Sequence, residues 1–157
     1  MIYGTPRDRN IARLIRFVRR SPIVPVAAAD ALQQPIHVED VAAAVAAALG
    51  ATTTVGRTYN IGGREPLTLE KMIRETIAAV GYRRAVVRVP YAPMLMGAAI
   101  CSRLVAKPPI SVEQIKRLRE DKSVDYSDAA VDFGFAPRSF QEGVRQEAKM
   151  FNRSGSP

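Results

Sequence analysis

The sequence predicts a layered α/β or α+β domain whose sheet is small for the number of helices around it. Short β-branched segments alternate with segments of helical period along the 157 residues, which is typical of strands covered by helices. The length suits one domain, and a hydrophobic share of 47% is enough for a core. Because the strand segments are few and short, we expect the sheet to be incomplete.

The first elements are a strand stub and a basic helix. Ile2 and Tyr3 precede a Gly-Thr-Pro turn at residues 4–6. Apolar residues then recur at helical spacing from Ile11 to Val18, with Asp8 as a capping residue and a Ser-Pro stop at 21–22. The opposite side of this helix carries Arg9, Arg13, Arg16 and Arg20.

Two extended pieces and an alanine-rich helix follow. Residues 22–26 and 33–38 predict short extended segments. Glu39 and Asp40 favour the start of a helix, since carboxylates are stabilised at that end, and Gly50 ends it. Because its side chains are small, we expect this helix to be buried.

Later segments predict two strands and several helices. The strands are 57–61, which lies between glycines, and 86–89. Thr68 caps a helix that Gly81 ends. An apolar helix is predicted over 91–106. Capping boxes at Ser111–Gln114 and Ser139–Glu142 predict the starts of two late helices, and a short helix within 125–137 is closed by Gly134.

Several chemistries are excluded by composition and motif. A single Cys101 and a single His37 exclude a disulfide framework and a zinc site of several Cys and His ligands. No glycine-rich dinucleotide loop, Walker loop or G-x-S-x-G elbow occurs, and none of the five tyrosines has a lysine four residues later. The pair Gly62-Gly63 is interpreted as a turn.

His37 and Cys101 are interpreted as structural residues. His37 precedes two acidic residues, but without a nucleophile or metal partner we expect a strand-end histidine that is hydrogen-bonded to the backbone. Cys101 lies among apolar residues and predicts a buried, inert thiol. One cysteine is consistent with the cytoplasm. No signal-peptide pattern is present, and the apolar stretch 91–106 is too short, with Arg103 inside it, to span a bilayer.

The net positive charge of the chain is compatible with an acidic binding partner. The net charge is +8 and the pI is about 10.1, which suits anionic ligands in general. The arginine face of the first helix is a nucleic-acid candidate, but it lacks interleaved aromatic residues, so we expect a solvated face and no nucleic acid. The segment 91–106 predicts core burial, with a membrane or protein contact as the alternative.

Four segments in order carry a family resemblance. They are MIYGTP at 1–6, QPIHVEDVA at 34–42, TYNIGG at 58–63 with Thr68 and Glu70, and residues 125–137. Together they resemble the second half of the NAD(P)-dependent epimerase/dehydratase family. This family comprises extended and atypical short-chain dehydrogenases, including the nucleoside-diphosphate-sugar epimerases.

The resemblance implies a partial Rossmann-like edge with a helix-rich substrate-binding lobe, over residues 1–151. Residues 152–157 themselves predict a flexible tail. The family's glycine-rich loop and Tyr-x-x-x-Lys would precede Met1. We therefore expect this chain to be non-catalytic alone, with no catalytic or metal-binding residue. NAD or NADP would belong to the full-length parent and would not bind tightly to this chain.

The resemblance also implies site residues. Tyr3 and Gly4 would contact the cofactor, while Thr5 and His37 would contact a small-molecule substrate such as a sugar nucleotide. Gln33 stands where related epimerases often carry an arginine that binds the diphosphate; a neutral amide lacks that charge, so the atypical branch fits better. A second phosphate contact would come from Arg117 or Arg119.

Two further function classes stay open. The chain could be a non-catalytic assembly or interaction subunit, like the complex I relatives of the atypical branch. It could also bind nucleic acid through the first helix, which is the weaker alternative. The sequence leaves the substrate, the choice between NAD and NADP, and the oligomeric state undecided.

Overall fold

The computed structural model describes residues 1–93, 95, 96 and 121–153, and it confirms a mixed α/β fold with few short strands. In chain order the elements are β1 (Ile2–Tyr3), α1 (Ile11–Arg20), β2 (Ile23–Val26), β3 (Leu32–Gln33), β4 (Ile36–His37), α2 (Val38–Gly50), a 3₁₀ turn (Thr52–Thr54), β5 (Leu67–Thr68), α3 (Leu69–Val80), β6 (Ala85–Arg88), α4 (Ser127–Phe133) and α5 (Phe140–Arg153).

The strands form three separate two-stranded sheets among the described residues. β1 pairs with β4 and β2 pairs with β6, both in parallel. β3 pairs with β5 in antiparallel fashion, and an isolated bridge joins Gln33 to Lys122. Parallel pairing requires long connections between partners, so the β1–β4 and β2–β6 sheets join distant parts of the chain. The antiparallel pair also joins distant residues, since Gln33 is the register partner of Leu67.

The main core lies between α1, α3 and α5. Each of these helices turns one apolar stripe inward, as the helical spacing of the sequence predicts. The buried residues of the three stripes are Ile11, Ile15, Val18, Leu69, Met72, Ile73, Ile77, Phe140 and Val144. A smaller cluster of Ile36, Ala44, Ala129 and Phe135 joins β4, α2 and α4.

The predicted burial of the alanine-rich helix is wrong. In α2 only Ala44 is buried, while Val45 is 52% and Leu49 is 84% exposed. After Asp40 the helix has no polar side chain to turn toward water. The elements with the most contacts to it are β4, the 3₁₀ turn and α4, and Gln146 of α5 also donates to Glu39 at its start. These neighbours cover a single narrow strip of α2.

The predicted strand at 57–61 is also wrong. No strand forms there, and side chains fix the segment instead: the Tyr59 hydroxyl donates to the Asp132 carboxylate at 2.6 Å, and Arg57 pairs with the same group. The strand of this region is β5, which pairs with β3. A β-branched composition forms a strand only where a partner edge is available.

The predicted helix ends are confirmed for α3, α4 and α5, but α1 begins at Ile11 with Asn10, not Asp8, at its cap position. The Thr68 hydroxyl accepts a hydrogen bond from the Lys71 N–H at 3.2 Å. In the capping box of α5, the Ser139 N–H donates to the Glu142 carboxylate at 2.8 Å, and the Glu142 N–H donates to the Ser139 hydroxyl at 3.3 Å. Gly134 closes α4 with φ of 70°.

Some predictions fall on residues that the structure does not describe. Cys101, the capping box at 111–114, Arg117, Arg119 and most of 91–106 lie outside the described residues. Among the helices that are described, none combines the length and apolar character needed to cross a membrane.

Candidate functional site around the Gly4 loop

β1 and β4 place Tyr3 beside His37. The two residues are register partners in the parallel pair, and their rings meet edge to face with centroids 5.3 Å apart. Each residue is 1% exposed. The strand pairing therefore brings together two of the residues that the sequence analysis assigns to the site.

Gly4 continues β1 into a turn that His37 covers. Its φ of 116° is unfavourable for a residue with a side chain. A Cβ atom at this position would lie 2.4 Å from His37 Nε2. Glycine is therefore required both by the backbone conformation and by the imidazole that lies against it.

His37 is held by one backbone contact. Its Nδ1 accepts a hydrogen bond from the Glu39 N–H at 3.3 Å, as the sequence interpretation expects. Burial, followed by the charge of Arg138, lowers the pKa of His37. The imidazole is therefore neutral with its proton on Nε2, and that atom is buried without a hydrogen-bond partner in the described part of the chain.

The Tyr3 phenol is enclosed by α5. Its hydroxyl donates to the Phe140 carbonyl at 3.4 Å, and a Cβ at Gly143 would lie 2.1 Å from the phenol oxygen. Burial, with a smaller contribution from Asp40, raises the pKa of Tyr3. The phenol therefore stays protonated and has no open face for a reactant.

Glu147 is a buried carboxyl that the sequence analysis missed. It is 0% exposed and faces the Asp8 carboxylate and the Gly4 N–H, but neither oxygen makes a hydrogen bond of ordinary geometry in the described part of the chain. Burial, followed by Asp8, raises the pKa of Glu147 to about 9. Its burial could have been predicted from its position in α5, because Glu147 lies seven residues after Phe140 and therefore on the same apolar stripe of the helix.

Arg138 joins α2 to α5 beside this cluster. Its backbone N–H and its Nε donate to the Asp40 carboxylate at 3.1 and 2.9 Å. Its guanidinium also pairs with Glu39 at 2.8 Å and donates to Gln146 at 2.6 Å. These four bonds fix the start of α2 relative to α5, and with it the backbone that holds His37.

The remaining predicted residues occupy different places. Thr5 is exposed directly after Gly4. Gln33 is 6% exposed in β3, a different sheet from the one that holds His37. Arg117 and Arg119 lie outside the described residues. The structure thus brings together Tyr3, Gly4 and His37, with Thr5 next in the chain.

Gly62 and Gly63 serve close packing, since neither has a positive φ. A Cβ at Gly63 would lie 2.0 Å from the Pro35 carbonyl oxygen. The Gln34 amide donates to the Gly63 carbonyl at 2.8 Å and accepts from the Val124 N–H at 2.7 Å. This buried amide ties three distant segments together just before β4.

A groove of about 480 Å³ lies at the start of α3. Glu70 pairs there with Arg74 at 2.7 Å and with Arg88 at 2.6 Å, and Arg88 also pairs with Asp30 at 3.2 Å. Because these arginines already face carboxylates, the groove is a network of ion pairs. No cluster of three metal-ligating side chains occurs among the residues that the structure describes.

Tyr3 and Gly4 are the two residues that the resemblance assigns to dinucleotide binding, and their surroundings show whether a dinucleotide fits there. The phenol of Tyr3 is closed off by Phe140 and Gly143, and the space beside Gly4 is filled by His37. These two positions do not form a cofactor cradle by themselves. Their contact with NAD or NADP stays a prediction.

Comparison with solved structures shows the same fold in sugar-nucleotide enzymes. UDP-glucose 4-epimerase from Thermotoga maritima, solved with UDP-glucose, is 21% identical with a TM-score of 0.65 and matches 98% of this chain and 44% of its own. UDP-glucuronic acid 4-epimerase from Bacillus cereus, in complex with NAD, is 16% identical with a TM-score of 0.67 over 98% and 43%. dTDP-glucose 4,6-dehydratase from Bacillus anthracis, in complex with NAD, is 16% identical with a TM-score of 0.63 over 98% and 42%.

These similarities define the class of fold. A scan against protein-family models and a search of curated proteins gave no match. The chain spans less than half the length of the three solved structures above, since it covers 42–44% of each. At this level of identity the comparison shows a Rossmann-like α/β fold of the kind found in part of these enzymes.

Proposed function

We propose that residues 1–151 are the substrate-binding, C-terminal part of an NAD(P)-dependent nucleoside-diphosphate-sugar epimerase/dehydratase-like oxidoreductase, and are not catalytic alone. One observation carries this proposal: nearly the whole chain matches such enzymes, while it accounts for under half of their length. The absence of a glycine-rich loop and of Tyr-x-x-x-Lys from the sequence supports the same conclusion. The parent would act in the cytoplasm, as the single cysteine suggests.

In this proposal the chain shapes the surroundings of the substrate. Thr5 presents its exposed side chain after the Gly4 turn, which His37 holds from one side. Gln33, Arg117 and Arg119 are the other proposed substrate contacts. NAD or NADP would supply hydride transfer in the full-length parent. The residues that bind this cofactor would belong to the N-terminal half of the parent.

Calorimetry with NAD and NADP tests whether the chain lacks a cofactor site of its own. We expect no binding to the purified chain at cofactor concentrations of about 100 μM, because Tyr3 and Gly4 offer no open cradle. An affinity of about 1 μM for either dinucleotide would contradict the proposal. The DNA directly before the first codon gives a second test, in which we expect an in-frame glycine-rich loop and Tyr-x-x-x-Lys.

The second candidate function is a non-catalytic assembly or interaction subunit. The exposed apolar surface of α2 favours this function, since such surfaces mark contacts with partners. Co-sedimentation with anionic and with neutral vesicles separates a membrane-associated subunit from the first proposal. Binding to anionic vesicles that salt weakens would favour the second candidate.

A further inference from the structure

The sheet of β2 and β6 has an apolar face that is exposed to water. Its strands are parallel, with Ile23 in register with Ala85 and Pro25 with Val87. These four side chains share one face, because alternate residues of a strand point to opposite sides, and all four are exposed. Ile23 is 52% and Val87 is 45% exposed. Since parallel sheets are normally covered on both faces, this face is suited to a contact.

The end of α1 places an aromatic and a basic residue beside the start of this sheet. Phe17 is 43% exposed, and Arg20 is exposed in the last turn of the helix. The Ser21 N–H donates to the Phe17 carbonyl at 2.9 Å, and the Ser21 hydroxyl donates to the Ile23 carbonyl at 2.7 Å. The last turn of α1 is therefore bonded directly to the first residues of β2.

The turn before β6 brings a second aromatic and basic pair to the same end of α1. The Arg84 guanidinium donates to the carbonyls of Val18 and Arg19 at 2.8 and 3.4 Å, which fixes this turn against the helix. The Tyr82 ring is 40% exposed and has the Arg84 guanidinium 4.5 Å from its centroid. Arg83 lies between these two residues and is exposed.

The positive charge of this region is not balanced by carboxylates close in sequence. Neither Asp nor Glu occurs in residues 9–29 or 76–90, while these two segments contain five and three arginines. Arg19 and Arg84 donate to neutral carbonyls, which leave the charge of a guanidinium in place. The surface therefore attracts anions through several arginines at once.

The composition of this surface favours a lipid bilayer over nucleic acid. Ile23 and Val87 are aliphatic, so they gain free energy by leaving water but offer neither stacking nor hydrogen bonds to a base. One side of the Tyr82 ring is already covered by Arg84, which leaves less of the ring for a base. Basic residues beside exposed aromatic and aliphatic side chains are typical of proteins that lie on anionic bilayers.

We propose that this surface, the docking face, binds an anionic phospholipid bilayer. The docking face consists of Phe17, Arg20, Ile23, Tyr82, Arg83 and Val87. Its apolar side chains enter the interfacial layer of the bilayer, and its arginines pair with lipid phosphates. It belongs to a different sheet from the Gly4 loop and to different elements from the exposed surface of α2. The inference therefore goes beyond both candidate functions and is compatible with either.

Co-sedimentation of the purified chain with vesicles tests this inference. We expect binding to vesicles that contain phosphatidylglycerol, at least about tenfold weaker in about 0.5 M than in about 0.05 M salt, and little binding to phosphatidylcholine alone. Arg20→Gln with Arg83→Gln should weaken binding about tenfold or more at low salt. Ile23→Ser with Val87→Ser should weaken it at both salt concentrations, because the lost contact is apolar.

Arg57→Gln with Arg64→Gln is the matched control. It removes the same two charges from side chains that are 54% and 55% exposed outside the docking face, and it should bind vesicles like the unmodified chain. Circular dichroism checks that each variant is folded. Equal losses in the control and in the Arg20 and Arg83 pair would show that net charge alone attracts the vesicles, and would overturn the inference.

Three further outcomes would also overturn it. Loss of vesicle binding in Leu49→Ser, which changes the surface of α2, with none in the docking-face variants, would assign the contact to the second candidate function. Absence of binding to anionic vesicles would remove the docking face and leave the substrate-binding proposal standing. Tighter binding to a duplex or single-stranded oligonucleotide than to vesicles, unchanged by Ile23→Ser with Val87→Ser, would assign the arginines to nucleic acid.

Discussion

Gly4 and His37 constrain each other in a way that one substitution can measure. The glycine has φ of 116° and lies against the imidazole, so any side chain there both strains the backbone and displaces the ring. His37 in turn has Nδ1 fixed by the Glu39 N–H, which limits how far the ring can move. The Gly4 turn is therefore a rigid part of the candidate site.

We expect Gly4→Ala to destabilise the fold by about 2 to 5 kcal/mol, from a strained φ together with overpacking. Gly56→Ala is the control, because Gly56 also has a positive φ of 75° but nothing lies within 4 Å of its added Cβ. The control should cost only about 1 kcal/mol. Urea unfolding measures both, and equal losses would show that the imidazole does not constrain position 4.

Glu147 makes stability depend on pH in a defined direction. Its pKa is about 9 in the folded chain, against an ordinary value of 4.5, so the folded state holds the proton more tightly than the unfolded state. The charged or titratable groups that influence it are Asp8, Arg16 and Tyr3. Its stabilising contribution is complete below the ordinary pKa and is lost as pH rises through about 9.

Glu147→Gln should remove this contribution to the pH dependence, because the amide imitates the neutral acid. Between about pH 5 and pH 9 the free energy of unfolding of the unmodified chain should fall relative to the variant. Glu75→Gln is a control at a carboxyl that is less deeply buried. Parallel unfolding curves for the unmodified chain and Glu147→Gln at every pH would contradict the assignment of a neutral Glu147.

At the scale of elements, local signals predict helix ends well. Thr68, Gly81, Gly134 and the capping box of Ser139 each act within a few residues of themselves, so the sequence contains the whole interaction. The segment 57–61 and helix α2 depend on what packs against them, and residue type alone does not encode that. Glu147 was missed for the same reason, since its burial follows from the packing of α5 against the Gly4 loop.

The bond between α2 and α5 through Arg138 should contribute measurably to stability. Arg138 is 26% and Asp40 is 12% exposed at the side chain, so water screens this pair only in part. We expect Arg138→Ala to cost about 1 to 3 kcal/mol, as for a partly buried charge pair that loses one partner. The outcome is read from urea unfolding at low and at high salt.

Arg74→Ala is the comparison for this element-scale prediction. The Arg74 side chain is 59% exposed and pairs with Glu70 four residues earlier on the same helix, a geometry that contributes about 0.5 kcal/mol or less. If the two arginine variants cost the same, the Arg138 bonds would be ordinary surface contacts, and α2 would be positioned by packing alone.

Across the whole molecule, stability should be uneven. α3 buries five residues of its inner face, whereas α2 buries only Ala44. Amide hydrogen exchange should therefore be slow in α1, α3 and α5 and faster in α2 and α4, because local opening costs less where few apolar contacts are lost. Mass spectrometry of peptic fragments measures this. Equal protection of α2 and α3 in the isolated chain would contradict it.

The sequence predicts the fold class at this scale, and it predicts the site only in part. The family resemblance assigns Tyr3, Gly4 and His37 to the site, but their contact follows from the pairing of β1 with β4, which no spacing in the sequence predicts. The burial of Gln33 in a different sheet does not follow from any spacing, because β3 takes its partners from residues 67 and 122. Tertiary pairing decides such positions.

The pairing of β2 with β6 has a consequence for the newly made chain. Ile23 is the register partner of Ala85, so β2 leaves the ribosome 62 residues before the strand that completes it. At about 5 to 20 residues per second this delay is roughly 3 to 12 seconds. During that interval the Ile-Val-Pro-Val segment of β2 has no partner strand. Pro25 makes this segment a poor template for aggregation, because proline has no amide hydrogen to donate to a neighbouring strand.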